Sequence, residues 1–505
     1  MPMTQLLGFL RPARTASAAG TPEGRKSGGL GRSALLYAGL SVVLLIPCYW
    51  QPRLQAGDLS SHIYNAWLTQ LIEAGRTPGL SLAGQTTNLL FDIVLGRLYA
   101  LFGAEPAQRI AVSIAVLVFV WGAFAFVSKV AGRRPLHLLL CIVMLAYGWV
   151  FHMGFFNFYL SLGLCFWVLA LVWDAVGRRW LLALPVLVLA YVAHGLPVAW
   201  TGCLLAYLWI ARRVPPRSHA LLAAGALAVM VLVHWAIGLR TVTRWSPLQA
   251  LNTTGVDQVW VFDLKYYFVL IGLLLIWGLL FLELLHRLGP RAVASSMAFQ
   301  ICIVSAAGVF VMPSTVFIPG FQHSLVYIAE RMSLGVGICV CALLGSARAR
   351  TFVRCGLALV ALVFFGFLFR DERALNSFED RMEETVAQLP PGQRVVSGVD
   401  TMNLRSFAVT HMIDRACLGR CFSYGNYEAS TAQFRVRAAA ANPYVVFRYR
   451  DSIDIQGGTY VVKPGDLPLY QVDMTEGRLV IRSLQAGTPC GMKYWNVLAD
   501  APPGS

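Results

Sequence analysis

The stretch TTNLLFDIVLGRLYALFG, residues 86–103, is apolar enough to be taken for a membrane span. Whether it is one sets the orientation of everything that follows. The chain has 505 residues, 57% of them hydrophobic and 13% charged, against about 25% charged in an ordinary soluble domain. Apolar segments of roughly 17–25 residues, the length a bilayer requires, recur along it. They run at 33–50, 109–128, 135–153, 157–175, 180–195, 197–211, 219–238, 267–285, 293–312, 325–346 and 351–369, about eleven in all. With the N-terminus in the cytoplasm, the loops on that side are KVAGRRP (from Lys129), GRRW (from Gly177), ARRVPPRSH (from Ala211), HRLGPRA (from His286) and ARAR (from Ala347). All five are basic, as the positive-inside rule requires. Counting residues 86–103 as a further span would turn all five outwards. With Asp92 and Arg97 in its middle, the segment reads instead as an amphipathic helix on the outer surface, or a re-entrant one.

The expected fold is an α-helical polytopic membrane protein of about 11 transmembrane helices with a C-terminal soluble α/β domain. Residues 1–32, rich in Gly, Ser, Ala and Arg, form a disordered basic cytoplasmic tail. Residues 33–370 form the transmembrane part, with a first outer loop (51–108) carrying two amphipathic helices, from Leu59 and from Thr87. An odd number of spans leaves 371–505 outside, in the periplasm if the membrane is a bacterial inner membrane. Composition changes sharply at Asp371: 27 basic and 10 acidic residues precede it, and 14 and 15 follow from it on, a net +17 and −1. A charged helix opens the C-terminal part, followed by strand candidates RVVSGV, PYVVFRY, TYVVKPG, LYQV and RLVIRSL. Among Cys417, Cys421 and Cys490, one pair can form a disulfide if the region is extracytoplasmic, and the spacing does not choose it. The basic balance belongs to membrane loops, and no nucleic-acid motif accompanies it. Walker, zinc-ribbon and Gly-x-Ser-x-Gly motifs are also absent from the sequence.

Outward-facing polar residues are few, which narrows the chemistry. QAGDLSSHIYNAWLTQLIEAG (Gln55–Gly75) follows the first apolar segment and repeats Leu59, Ile63, Trp67 and Leu71 every four residues. This predicts an interfacial helix with Asp58 at its N-cap, where the helix dipole favours a carboxylate. His62, one turn on, is a candidate partner for a metal or a proton. WVFHMGFFNFYLSLG (Trp149–Gly163) sets His152 and Asn157 among aromatics, and AHGLP (Ala193–Pro197) sets His194 at an outer turn. In FQHSLVYIAERMSLG (Phe321–Gly335), Glu330 and Arg331 are expected about a turn and a half inside the tenth span. Adjacent on a helix, they do not neutralise each other. A guanidinium there suits a phosphate head group, with His323 two turns away. Asp92, Glu330, His152 and Asn157 are the candidates for lining a cavity. The structural alternatives are an ordinary helix cap, an aromatic belt and an internal ion pair.

The layout of residues 33–369 resembles the type C (GT-C) superfamily of polytopic membrane glycosyltransferases. It shares a first span, an outer loop opening on GDLSSH before an amphipathic helix, a second loop helix and many further spans. The resemblance implies transfer of a hexosyl or pentosyl group from a polyprenyl-phosphate donor to a saccharide, lipid or protein acceptor on the outer face. It further implies that Asp58 serves as general base on the acceptor hydroxyl, and that Arg331, with His194 or His323, stabilises the departing phosphate. Many members carry a second acidic motif. Asp92, Asp257 and Asp263 form no Asp-x-Asp here, so whether a divalent metal takes part is left open. The competing classes are a transporter or flippase and a non-catalytic assembly protein. Either would act on an envelope lipid or polysaccharide.

Overall fold

The computed structural model describes residues 28–175, 177–320, 324–400, 404–431 and 433–492. The protein is predominantly helical. Four helices are long and apolar enough to cross a membrane by length and composition: Ala104–Ala131, Pro216–Gly238, Leu264–Leu288 and Thr351–Val386. Shorter apolar helices include Ala34–Leu44, Phe156–Val172, Trp180–Ala193, Gly195–Ala211 and Met297–Val311, with Ile328–Leu344 beside them. Leu221, Val229, Leu232 and Trp235 on His219–Gly238 are all exposed, an apolar surface that calls for lipid rather than water. The segment expected at 135–153 is broken, with helices at Leu139–Ala146 and Trp149–His152. The break falls at Gly148, where a Cβ would lie 2.7 Å from the Gln258 carbonyl oxygen.

Residues 90–102 form a separate 13-residue helix, Leu90–Phe102. At 1.5 Å per residue it reaches about 20 Å, short of the roughly 30 Å hydrocarbon core. Gly103, at φ +79°, turns the chain from it into Ala104–Ala131. The other loop helix, Gly57–Glu73, departs from expectation in two ways. It does not lie half-exposed on a surface, because Leu59, Ser61, Ile63, Tyr64 and Leu68 are buried. The C-terminal region covers it: Ser423 donates its backbone N–H to Tyr64 Oη (2.9 Å), and Asn426 Nδ2 donates to Asn65 Oδ1 (2.9 Å). Strand Leu80–Leu82 pairs antiparallel with Val436–Ala438, tying the loop to the same region.

Asp58 is also not the N-cap. That position is Ala56, with no side-chain bond, and Asp58 sits within the first turn. The Asp58 N–H donates across to the Met153 carbonyl at 3.0 Å. Gly154 makes this approach possible, since it holds φ +82° and a Cβ there would stand 2.5 Å from Asp58 N. The backbone is thus fixed from outside its own helix, and the carboxylate is released from capping.

The charge change at Asp371 is no break in the chain. Thr351–Val386 is one unbroken helix of 36 residues, about 54 Å long, apolar in its first half and charged in its second. Beyond it a four-stranded sheet has the order Phe422–Ser423, Arg394–Ser397, Leu469–Thr475, Arg478–Ser483, with only the last pair antiparallel. The expected strand PYVVFRY is irregular and leads into helix Tyr449–Gln456. Asn442 Oδ1 accepts from both Tyr444 and Val445 N–H, a local turn that overrides β propensity. Cys417 and Cys421 form the disulfide, and Cys490 is free and buried.

One buried ion pair joins the three parts that meet here. Arg415 Nε, on helix Met412–Ala416, lies 3.3 Å from Glu379 Oε1 on the long helix, both side chains almost fully buried. Arg415 Nη2 also donates to the Leu54 carbonyl (3.0 Å) and Ser60 Oγ (2.8 Å), and Gln55 Nε2 donates to Glu379 Oε2 (2.7 Å). Breaking a buried pair leaves an uncompensated charge and typically costs about 3–5 kcal/mol. Arg415→Ala or Glu379→Ala should lower unfolding stability by about that much, read by thermal unfolding in detergent. The double change Glu379→Leu/Arg415→Met should recover part of the loss. A loss under about 1 kcal/mol in both single variants, the level of an exposed pair, would remove the pair from this role.

Candidate functional site

Two adjoining cavities, of about 380 and about 200 Å³, share five wall residues: Asp58, Phe155, Val326, Arg331 and Tyr427. Asp58 comes from the loop helix, Phe155 from the turn that follows Gly154, and Arg331 from the start of Ile328–Leu344. Tyr427 opens the short helix Tyr427–Thr431. Glu330 faces the larger cavity, while His62, Asn157 and His194 face the smaller one.

Arg331 lies in the first turn of its helix, not a turn and a half inside. The residue before that helix, Tyr327, adopts a left-handed backbone at φ +58°, which turns the chain sharply into it. The Arg331 guanidinium sits 3.8 Å from the centre of the Phe155 ring, a cation–π contact that holds the charge without neutralising it. Its Nε is buried and has no hydrogen-bond partner among the described residues. Glu330 points elsewhere, with both carboxylate oxygens 2.9 Å from Ser314 Oγ.

His62 Nδ1 lies 2.7 Å from Asp92 Oδ1, and Asn157 Nδ2 donates to Asp92 Oδ2 at 2.7 Å. Asn157 Oδ1 in turn accepts the Phe91 N–H. Asp92 therefore backs the site without lining either cavity. His152 lines neither as well, which corrects the expectation for it. It is fully buried, with Nε2 3.1 Å from Glu372 Oε1 and Nδ1 3.1 Å from the Gly148 carbonyl. His194 caps helix Gly195–Ala211, its Nδ1 accepting the Leu196 N–H. That leaves the ring proton on Nε2. His323 lies outside the described residues.

The residues not foreseen come from the far end of the chain. His411 Nε2 stands 3.6 Å from Asp58 Oδ1, and its Nδ1 stands 3.1 Å from Asp414 Oδ2. Ser423 Oγ donates to the other Asp414 oxygen. Glu428 is buried beneath His62 and accepts from Ser61 Oγ at 3.2 Å. The His411-x-x-Asp414 spacing is a faint signal of one-turn pairing, but nothing in it points to a partner 353 residues away at Asp58.

Burial sets the protonation of this group and neighbouring charge corrects it. Desolvation alone would depress His62, but Asp92 first, then Glu428 and Asp58, raise it to about 9. For His411 burial again pulls down, and Asp414, Asp58 and Glu428 outweigh it, so the net shift is upward. Burial raises Glu428 to about 7, with His62 opposing and Asp92 and Asp58 adding to the rise. Among the described residues no three or more His, Cys, Asp or Glu side chains are grouped to hold a metal ion. His62 meets Asp92 directly, so the metal-ligand role considered for it finds no set of donors.

No protein-family model and no curated protein matches the chain. Among solved structures, the apo crystal structure of ArnT from Cupriavidus metallidurans is similar to it over 89% of this chain and 97% of that one. The identity is 12% and the TM-score 0.44. A likeness of that degree carries no argument about chemistry, which rests on the residues above.

A pH dependence follows from the raised imidazole. The folded state binds the His62 proton more tightly than the unfolded chain, whose value is near 6.5. The stability this contributes is complete below pH 6.5 and is lost as pH rises through about 9. Glu428 acts in the same sense at lower pH, because its ionisation between 4.5 and about 7 disfavours the folded state. The unfolding temperature should fall between pH 6.5 and 9, and His62→Asn should flatten that fall. An equally steep fall in the variant would contradict the assignment.

Proposed function

We propose that this chain is a membrane glycosyltransferase of the GT-C type. In this reading it moves a sugar from a polyprenyl-phosphate donor to an envelope acceptor on the outer face of a bacterial inner membrane. The N-terminus is cytoplasmic, and the C-terminal α/β region is periplasmic. The observation that carries the reading is the shared wall of Asp58 and Arg331: a carboxylate and a guanidinium that, among the described residues, has no carboxylate within ion-pair distance, facing the same space. One group takes a proton and the other holds an anion, which are the two needs of glycosyl transfer from a phosphate.

In the reaction, Asp58 accepts the proton of the acceptor hydroxyl as its oxygen forms a bond to the anomeric carbon. The bond from that carbon to the phosphate oxygen breaks, and its electron pair leaves with the phosphate. Arg331 stabilises the charge that gathers there. The positive end of the Ile328–Leu344 helix dipole adds to this, and the Nε2 proton of His194 is available from the smaller cavity. A phosphate leaves as an anion, so no acid is required. His411, held by Asp414, positions the Asp58 carboxylate and balances its charge.

With purified protein in liposomes and a radiolabelled polyprenyl-phosphate sugar, Asp58→Asn should lower transfer by about 10²–10⁴-fold with an unchanged unfolding temperature. Arg331→Gln should raise KM for the lipid donor. His411→Asn should lower kcat about tenfold, the size of a 1.4 kcal/mol misplacement, and leave that KM alone. Full transfer by the Asp58→Asn protein would overturn the catalytic assignment.

A further inference from the structure

A second hollow, of about 670 Å³, opens at the other end of the bundle. Helix Ile328–Leu344 begins beside Arg331 and ends at the loop that walls this hollow, so the two sites stand about 25 Å apart along that helix. Its rim holds Arg133, Arg134, Arg348 and Arg354, with His137 between them. They converge from two segments that sequence separates by more than 200 residues, Arg354 from the first turn of Thr351–Val386.

The fold holds this charge together against its own repulsion. Arg133 donates from Nε to the Gly345 carbonyl at 2.9 Å and from Nη2 to the Ala347 carbonyl, which pins one loop to the other. Arg354 Nε donates to the Ala349 carbonyl at 3.1 Å. These are carbonyl partners, which fix geometry and leave the positive charge unmatched. Among the described residues, Arg133, Arg348 and Arg354 form no ion pair with a carboxylate within 4.0 Å. The neighbouring carboxylate, Glu283, is engaged by Arg287 Nε (3.2 Å) and by the Arg348 backbone N–H (2.9 Å). Burial, and then repulsion by Arg287, Arg348 and Arg354, holds Arg133 below its ordinary value. The His137 Nε2 atom is buried with no hydrogen-bond partner among the described residues.

Below the rim the wall turns apolar. Leu136 and Leu140 are 48% and 37% exposed and line the same hollow. A cationic rim over exposed leucines suits an amphiphile: oxygens for the guanidiniums and a hydrocarbon chain for the leucines. Positive-inside loops explain why arginines lie at this end. They do not explain why four of them share one concave wall with an unsatisfied imidazole and bare leucines. We infer that this hollow binds the phosphate head group and upper acyl chain of an anionic phospholipid. The inference rests on reading the helices as membrane-spanning, and it holds whatever the outer site does to its substrate.

The test uses the full chain in nanodiscs of phosphatidylcholine, with phosphatidylglycerol titrated in and the unfolding temperature read against composition. Phosphatidylglycerol should raise it in the wild type, as a ligand specific to the folded state does. Arg348→Gln/Arg354→Gln should bind that lipid roughly 30-fold more weakly, at about fivefold per guanidinium near an anionic surface. The Arg348→Lys/Arg354→Lys variant, which keeps both charges, should retain most of the effect and exclude misfolding as the cause. Equal response to both lipids, equal behaviour of the Gln variant, or the same stabilisation by inorganic phosphate alone would each overturn the proposal. Failure of the protein to enter nanodiscs would instead remove the membrane reading beneath it.

Discussion

The Glu379–Arg415 pair is the constraint on which the site depends. It is the point where the long helix, the first outer loop and the C-terminal region are fastened to one another. Taking both charges out of water is costly, and Gln55, Ser60 and the Leu54 carbonyl offset part of that cost by hydrogen-bonding Glu379 Oε2 and Arg415 Nη2. Asp58 lies four positions after Leu54, and Arg415 four positions after His411. The clamp therefore sets the distance between Asp58 and the imidazole that faces it. An apolar replacement would fill the same space without specifying that register.

A second constraint acts on Asp58 from the membrane side. Gly154, left-handed and without a side chain, lets the Met153 carbonyl take the Asp58 N–H. Backbone and carboxylate are thus held by different parts of the molecule. The first is fixed by the turn before Phe156–Val172, and the second faces His411 and the shared cavities. Phe155, next in the chain, carries Arg331 on its ring. One short turn therefore positions both the acid and the cation.

Much of the helical plan was legible because apolar length is a local property. Each of the eleven expected apolar segments contains helix, 135–153 and 293–312 each in separate pieces, and residues 90–102 stand apart as a short one. Of the site, Asp58, Arg331, His62, Asn157 and His194 were legible as polar residues in an apolar setting, and the cavities draw on all five. What was hidden lies in the tertiary arrangement. His411, Asp414 and Glu428 sit in a region of ordinary composition, where a histidine or a carboxylate raises no alarm. Their meaning comes from the burial of Gly57–Glu73 beneath that region, which the amphipathic pattern of the helix disguised as a lipid-facing surface. His152 failed as a cavity residue for the opposite reason, since its partner Glu372 is 220 positions away. Asp58 failed as a cap because the helix begins one residue before it, at Gly57, which places its carboxylate inside the first turn.

The central claim is that Arg331 holds the phosphate of a lipid donor while Asp58 faces the reacting carbon. A cryo-EM structure of the protein with a non-reactive polyprenyl-phosphate sugar analogue tests it most directly. The account predicts the phosphate within hydrogen-bond reach of the Arg331 guanidinium, in the space that Asp58, Phe155 and Tyr427 share. The sugar should be turned towards Asp58. An analogue bound elsewhere, with Arg331 still resting on Phe155 and untouched, would contradict it.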